Sequence, residues 1–304
     1  MKRRKTPLVL WLLGGMVLAG LTACSGHDDA TDVVDDGVKV RRITITQTEE
    51  AAARQIVTRA SLTEGDGLTA SWTAGDALTY CNLSRTNPAN YDVYSGGLTA
   101  ASKAAVSQFT GDVTCRAGDY LAVVYPATTF ETNEGYTISL TGQDGTLGGL
   151  AANFHYVFGK ATVTAVTDAT ADATMEKMKS LLTVCKFSFI DRTSSSAIPI
   201  QSLDISYDGN GSDAGTYPQS ATVGCGVLTE QADVHASGTA GTQPLTVTCP
   251  MAQSAVYVAL LPTAAQRTFR FTVSDGTYTY SGTAKAWLKE GEYVAATGLK
   301  LTKQ

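Results

Sequence analysis

The side chains with the most reactive chemistry to offer in this 304-residue sequence are three histidines, six cysteines and a short run of carboxylates. A nucleophile reading falls on Gly224-Cys225-Gly226, with His235 as its base. Thiol attack needs a base, a group that orients the base, and donors for the developing oxyanion. The sequence places neither of the last two, so no catalytic residue is assigned and the chain is read as a non-enzyme. His27 lies in a polar N-terminal stretch, and His155 and His235 lack a partner two or four residues away, the spacing that pairs metal ligands on one face. Asp208-Gly209-Asn210-Gly211-Ser212-Asp213 has the oxygen spacing of a calcium loop, but its twelfth position is Gln219 where a bidentate carboxylate is needed. A glycine-rich hairpin tip is expected there, with no metal and no cofactor. Asn82-Leu83-Ser84 fits the glycosylation sequon but falls within an apolar strand-like run. Thirteen tyrosines and the tryptophans Trp72 and Trp287 offer surfaces for sugar stacking, yet both tryptophans flank strand–turn junctions and are expected in the core.

A different chemistry is carried by Cys24. Lys2, Arg3, Arg4 and Lys5 precede an apolar run from Leu8 to Leu21, too short to cross a bilayer comfortably. This is the layout of a secretory signal peptide. Its end, Leu21-Thr22-Ala23-Cys24, resembles the bacterial lipobox, in which the cysteine sulfur is acylated and the chain is cut just before it. Cys24 then becomes the lipidated first residue, anchored in an outer-membrane leaflet. Residues 25–37 read as a polar, acidic tether, similar to the signal that sends some lipoproteins to the cell surface.

Removal of the first 23 residues leaves 281, enough for one large or two ordinary domains. The composition is 43% hydrophobic and 17% charged, that of a core-burying chain. A formal charge of −5 without a basic stripe argues against nucleic acid as a partner. Export permits disulfides, but the five cysteines left beside Cys24 are an odd number, irregularly spaced and without a CxxC. Cys81 and Cys185 sit in apolar strand-like runs as small core residues, and a Cys225–Cys249 bridge stays open.

The elements that would position any site are mostly strands. Val38, Val40, Ile43 and Ile45 alternate with basic residues and Thr44, with a slip at Arg41-Arg42 that suggests a bulge. Glu49 to Gln55 is helix-like. Further strands are expected at 68–72, 77–83, 91–94, 108–110, 120–125 and 136–140, with a pair of short ones across 154–166. Met175, Met178, Leu181 and Leu182 mark a short helical connector over 174–182. Then come strands at 183–190 and 203–207, a central strand at 255–261, a hairpin turning at Asp275-Gly276, and a last hairpin turning at Glu290-Gly291-Glu292. The expectation is an all-β chain of two tandem β-sandwiches, residues 38–176 and 177–304. A single large barrel is the alternative.

Several segments together resemble the fimbrillin family of Bacteroidales, the subunits of type V pili. They are the lipobox, Thr58-Arg59-Ala60, Ser71-Trp72-Thr73-Ala74-Gly75-Asp76, Phe109-Thr110-Gly111, Gly118-Asp119-Tyr120 through Tyr125-Pro126, Tyr257 through Pro262, and Leu288 through Tyr293. They occur in the family's order along nearly the whole chain. The resemblance implies two transthyretin-like Greek-key sandwiches and a role as a structural subunit of a surface pilus or adhesin. It further implies that an arginine-specific surface protease cuts after Arg59, leaving Ala60 first, with Arg54 the second choice. The cut would release strand 38–45, whose Val38, Val40, Ile43 and Ile45 fill a groove that a neighbouring pilin subunit then occupies. The short closing Leu299-Lys300-Leu301 departs from the long donor expected of a stalk subunit. An uncut, lipid-bound anchor or accessory subunit is one alternative, and a surface glycan-binding lipoprotein is another.

Overall fold

The computed structural model describes residues 37–47, 61–65, 67–104 and 107–304. Cys24, residues 25–36 of the acidic tether, the helix-like stretch at 49–55 and the Arg54, Arg59 and Ala60 positions lie outside the described residues.

Period-2 alternation of β-branched and polar residues puts all the apolar side chains of a segment on one face, and strands form accordingly. The chain opens with β1 (Lys39–Gln47), β2 (Ser61–Glu64), β3 (Leu68–Ser71), β4 (Ala77–Thr86), β5 (Val93–Ala100) and β6 (Gln108–Cys115). Next come β7 (Tyr120–Tyr125), β8 (Phe130–Thr132), β9 (Gly135–Ser139), helix α1 (Leu147–Asn153), β10 (Val157–Val166) and β11 (Thr170–Met175). The short β12 (Lys179–Ser180) leads into β13 (Thr183–Asp191), β14 (Ile200–Tyr207), β15 (Ser220–Gly224) and β16 (Ala236–Gly238). Last are β17 (Leu245–Gln253), β18 (Val256–Leu260), β19 (Arg267–Ser274), β20 (Thr279–Ala286) and β21 (Tyr293–Lys303).

The two large sheets share one topology. The first runs β6-β1-β11-β10-β7-β4-β5, and the second β18-β13-β21-β20-β19-β14-β17. Each strand of one has a counterpart at the same place in the other. In both, the first strand lies parallel to the last, β1 against β11 and β13 against β21. The first sheet also closes on itself, because β5 pairs β6 at Thr99↔Thr110 and Ala100↔Phe109. The fold is all-β, two sandwich-type modules in tandem, as the strand spacing predicted. A smaller sheet ordered β16-β15-β9-β8 stitches the halves together. One core, around Trp72, Phe109 and Ile43, lies inside the first module; the other draws side chains from both halves, from Leu62 to Leu301.

Several expectations are corrected. Residues 174–182 are extended, as β11 and β12 on the edge of β10, because sheet pairing outweighs a helical spacing of methionines and leucines. The helix is α1 instead, capped where Thr146 Oγ1 accepts from Gly149 N at 2.9 Å. The apolar run at 256–260 ends its sheet rather than centring it. Its free edge is covered: Gln143 Oε1 accepts from Ala259 N at 2.7 Å, and Gly145 O from Tyr257 N at 2.9 Å. Residues 154–166 hold one long strand. The turn at 290–292 leads into β21, which pairs antiparallel with β20 at Tyr280↔Lys303 and Ser281↔Thr302 and lies parallel to β13 along its other edge. Cys81, Cys115, Cys185, Cys225 and Cys249 are all buried free thiols, so Cys225–Cys249 is unbridged.

Candidate functional site

The first strand of the first module is the element on which a functional reading can be built. β1 is joined to β6 in unbroken antiparallel register from Lys39↔Cys115 to Thr46↔Gln108. On its other side it is parallel to β11 from Arg42↔Thr170 to Gln47↔Met175. It therefore contributes backbone hydrogen bonds along both edges and closes the ring between two strands that do not otherwise meet.

The register shows no bulge, so the alternation is strict and its phase differs from the expected one. Ile43 and Ile45 are fully buried, but the position before them that faces inward is Arg41, 4% exposed, while Val40 faces out at 65%. Val38 is half-buried. Ile43 and Ile45 lie in the same core as Trp72, whose ring meets Phe109 edge-on at 5.0 Å. Burial of each isoleucine is worth roughly 1.5–3 kcal/mol. Gly111, opposite Ile43, lets β6 approach β5: a Cβ there would lie 2.5 Å from the Gly97 carbonyl oxygen.

The basic half of β1 meets acceptors on both sides. Arg41 Nε donates to the Thr167 carbonyl at 2.6 Å, and its Nη1 donates to the Cys115 carbonyl. Lys39 Nζ is 3.2 Å from Asp168, and Arg42 Nη1 is 3.5 Å from Asp112, both at the surface. At the other end the buried Gln47 Oε1 has no hydrogen-bond partner among the described residues.

Past β1, the chain is next described in β2, whose first residue follows Ala60 directly. Leu62 and Leu68 of the β2–β3 hairpin are buried. Glu64 accepts hydrogen bonds from Lys186 Nζ at 2.8 Å to each oxygen, from the Tyr257 hydroxyl, and from the Tyr293 hydroxyl at 2.6 Å. The Lys186 ammonium first, then the two phenols, hold the Glu64 carboxyl down to about 2.

The motifs singled out in the sequence have structural roles. Trp72 is buried, Gly75 takes a positive φ of 90°, and the Asp76 carboxylate accepts from Thr73 N at 2.6 Å, closing the turn. Asp119, 1% exposed, accepts from Arg85 Nε at 2.7 Å, Asn82 Nδ2 at 2.9 Å and Arg116 N at 3.0 Å. Asn82 is thus a buried donor rather than a glycosylation acceptor. Burial pushes the Cys225 thiol up to about 12, the reverse of nucleophile activation. His235 Nδ1 lies 2.9 Å from Glu290 instead. Arg270 and Arg267 pair with Asp208 and Asp213 at 2.5 Å each, occupying the calcium-like loop's carboxylates. Among the described residues, no group of three or more His, Cys, Asp or Glu side chains could hold a metal. Trp287 is 55% exposed rather than core, with its indole donating to the Thr263 carbonyl at 2.9 Å and Lys289 over its ring. An open surface pocket of about 420 Å³ beside Tyr120 and Leu228 has its Lys160 ammonium bonded to the Val227 and Thr229 carbonyls at 2.8 Å. Among the described residues, no helix is long and apolar enough to cross a membrane.

Arg41 and Glu64 were missed at the sequence level. A strict two-residue count back from Ile45 and Ile43 lands on Arg41, so that signal was present. Glu64 carried none, since its three partners are 122 to 229 residues away.

No protein-family profile matches this sequence, and a comparison with curated proteins finds no match. Solved structures do. A candidate cell adhesion protein from Bacteroides ovatus is similar at a TM-score of 0.50 and 11% identity, over 88% of this chain and 96% of that one. A second, from Bacteroides uniformis, reaches 0.49 at 14% identity over 89% and 97%. Shaft pilin SpaA of Lactobacillus rhamnosus GG reaches 0.34 at 11% identity over 88% and 98%. At these identities the first likeness is one of fold.

Proposed function

We propose that this chain is a structural subunit of a bacterial surface pilus or adhesin, exported as a lipoprotein on Cys24 and assembled by strand exchange. In this reading an arginine-specific protease cuts after Arg59, or after Arg54, and β1 leaves with its lipid. The opened β6 and β11 edges then accept an extended segment from a neighbouring subunit. The observation that carries the reading is the placement of β1: a short strand that, among the described residues, is the one bridging β6 and β11. The β2–β3 hairpin, held through Leu62, Leu68 and Glu64, would stay behind as the new N-terminal element. The likeness in fold to the Bacteroides ovatus candidate adhesion protein supports the same reading. If the cut does not occur, the same lipid holds an anchor or accessory subunit permanently at the surface.

The test is to treat the folded precursor with an arginine-specific protease and follow mass and size. Trimming to a start at Ala60 followed by concentration-dependent oligomers is expected. A trimmed chain that stays monomeric at every concentration sinks assembly by strand exchange.

A further inference from the structure

We infer that the groove occupied by β1 selects its strand by a guanidinium as well as by apolar side chains; the inference rests on the strand-exchange reading. The inward face of β1 is Arg41, Ile43, Ile45 and Gln47. Two apolar sites in a row would admit many alternating strands. The Arg41 site is more demanding, because it is lined by main-chain oxygens from both groove walls. Thr167, in the β10–β11 turn, accepts from Nε, and Cys115, at the end of β6, accepts from Nη1. The planar fork of arginine reaches both at once, which the single ammonium of lysine does less well. The side chain is 4% exposed, so water does not replace these bonds while a strand is in place.

The outer rim repeats the preference. Asp168 faces Lys39 and Asp112 faces Arg42, so the same end of the groove is acidic outside and carbonyl-lined inside. Departure of β1 would strip the Thr167 and Cys115 carbonyls of their donor and leave both aspartates facing the empty slot. The preferred occupant is therefore a neighbour's extended segment with arginine at an inward position, and alternate apolar residues two and four positions later. The chain's own closing strand meets only half of this. Leu299 and Leu301 have the spacing of Ile43 and Ile45, but in that alignment Thr297 falls at the Arg41 site. A copy offering that strand would bind less tightly than the resident β1, and an arginine-bearing segment from another subunit would be taken first.

The experiment uses the full chain with a specific protease site placed within residues 48–60. The protein is folded, cut in place, and incubated with an excess of labelled synthetic Lys39–Gln47 peptide or its variants. Retained peptide is read by native mass spectrometry. The unmodified peptide is expected to enter, an Ile43→Asn peptide to fail, an Arg41→Met peptide to be retained at least tenfold less, and an Arg41→Lys peptide to fall between. Equal or tighter retention of Arg41→Met overturns the guanidinium selection while leaving strand exchange standing. Failure of every peptide, the unmodified one included, overturns strand exchange and this inference with it.

Discussion

The Tyr293 hydroxyl donates a 2.6 Å hydrogen bond to the Glu64 carboxylate, tying the first residue of the last strand to the hairpin that follows the candidate cleavage segment. Lys186 and Tyr257 close on the same carboxylate, so three strands of the second module converge on one side chain of the first half. The N-terminal hairpin is thereby attached to the second module independently of β1.

That attachment should be acid-sensitive. The Glu64 carboxyl is lowered from its ordinary 4.5 to about 2, so its contribution is complete above about pH 4.5 and is lost as pH falls toward about 2. Because Glu64 lies at the surface, where solvent screens the pair, Glu64→Gln is expected to lower stability at pH 7 by no more than about 1 kcal/mol. Urea midpoints of both proteins across pH 7 to 2 test this, and a difference that does not shrink in acid counts against the ion pair.

The phase of β1 gives a paired prediction. Ile43→Ala should cost about 2–5 kcal/mol through the cavity it leaves. Val40→Ala, at an exposed position, should change stability by no more than about 0.5 kcal/mol. Comparable losses at both would mean that the strand faces the other way.

Asp119 joins three donors with almost no access to water. Asp119→Ala strands the Arg85 charge and the buried Asn82 amide, for an expected loss of about 3–5 kcal/mol. Denaturation midpoints measure it; a loss below about 1 kcal/mol would show that the cluster is replaceable by solvent.

The five described cysteines should be silent toward an aromatic disulfide reagent at pH 8 while the protein is folded. All are buried, and burial pushes Cys81 and Cys225 up to about 12. Five thiols should titrate once a chain starting after Cys24 is unfolded in denaturant. Three would mean that a disulfide had formed.

Much of the fold was readable because alternation is a local property of the chain. β7 was placed at 120–125, its observed limits, and Asp275-Gly276 was marked as a turn; Gly276 there has φ of 90° and Asp275 Oδ1 accepts from Tyr278 N at 2.6 Å. The site was readable in part. Ile43 and Ile45 are legible as inward positions, but Arg41-Arg42 reads as a slip in the alternation, and only the folded sheet shows Arg41 facing inward.

The sequence alone determined that the chain is built of short strands, since a two-residue repeat of apolar side chains is favourable only where a sheet has one buried face. It also determined where turns fall, because glycine and aspartate act within a few residues of their own backbone. Tertiary structure alone decided which strands pair, that both modules run in the same order, and that 174–182 extends along β10 rather than coiling. It also decided that Arg41 faces inward: the Cys115 and Thr167 carbonyls that accept its guanidinium lie 74 and 126 residues away in sequence. A buried charge is stable only where such acceptors converge, and that convergence belongs to the folded sheet rather than to any stretch of the chain.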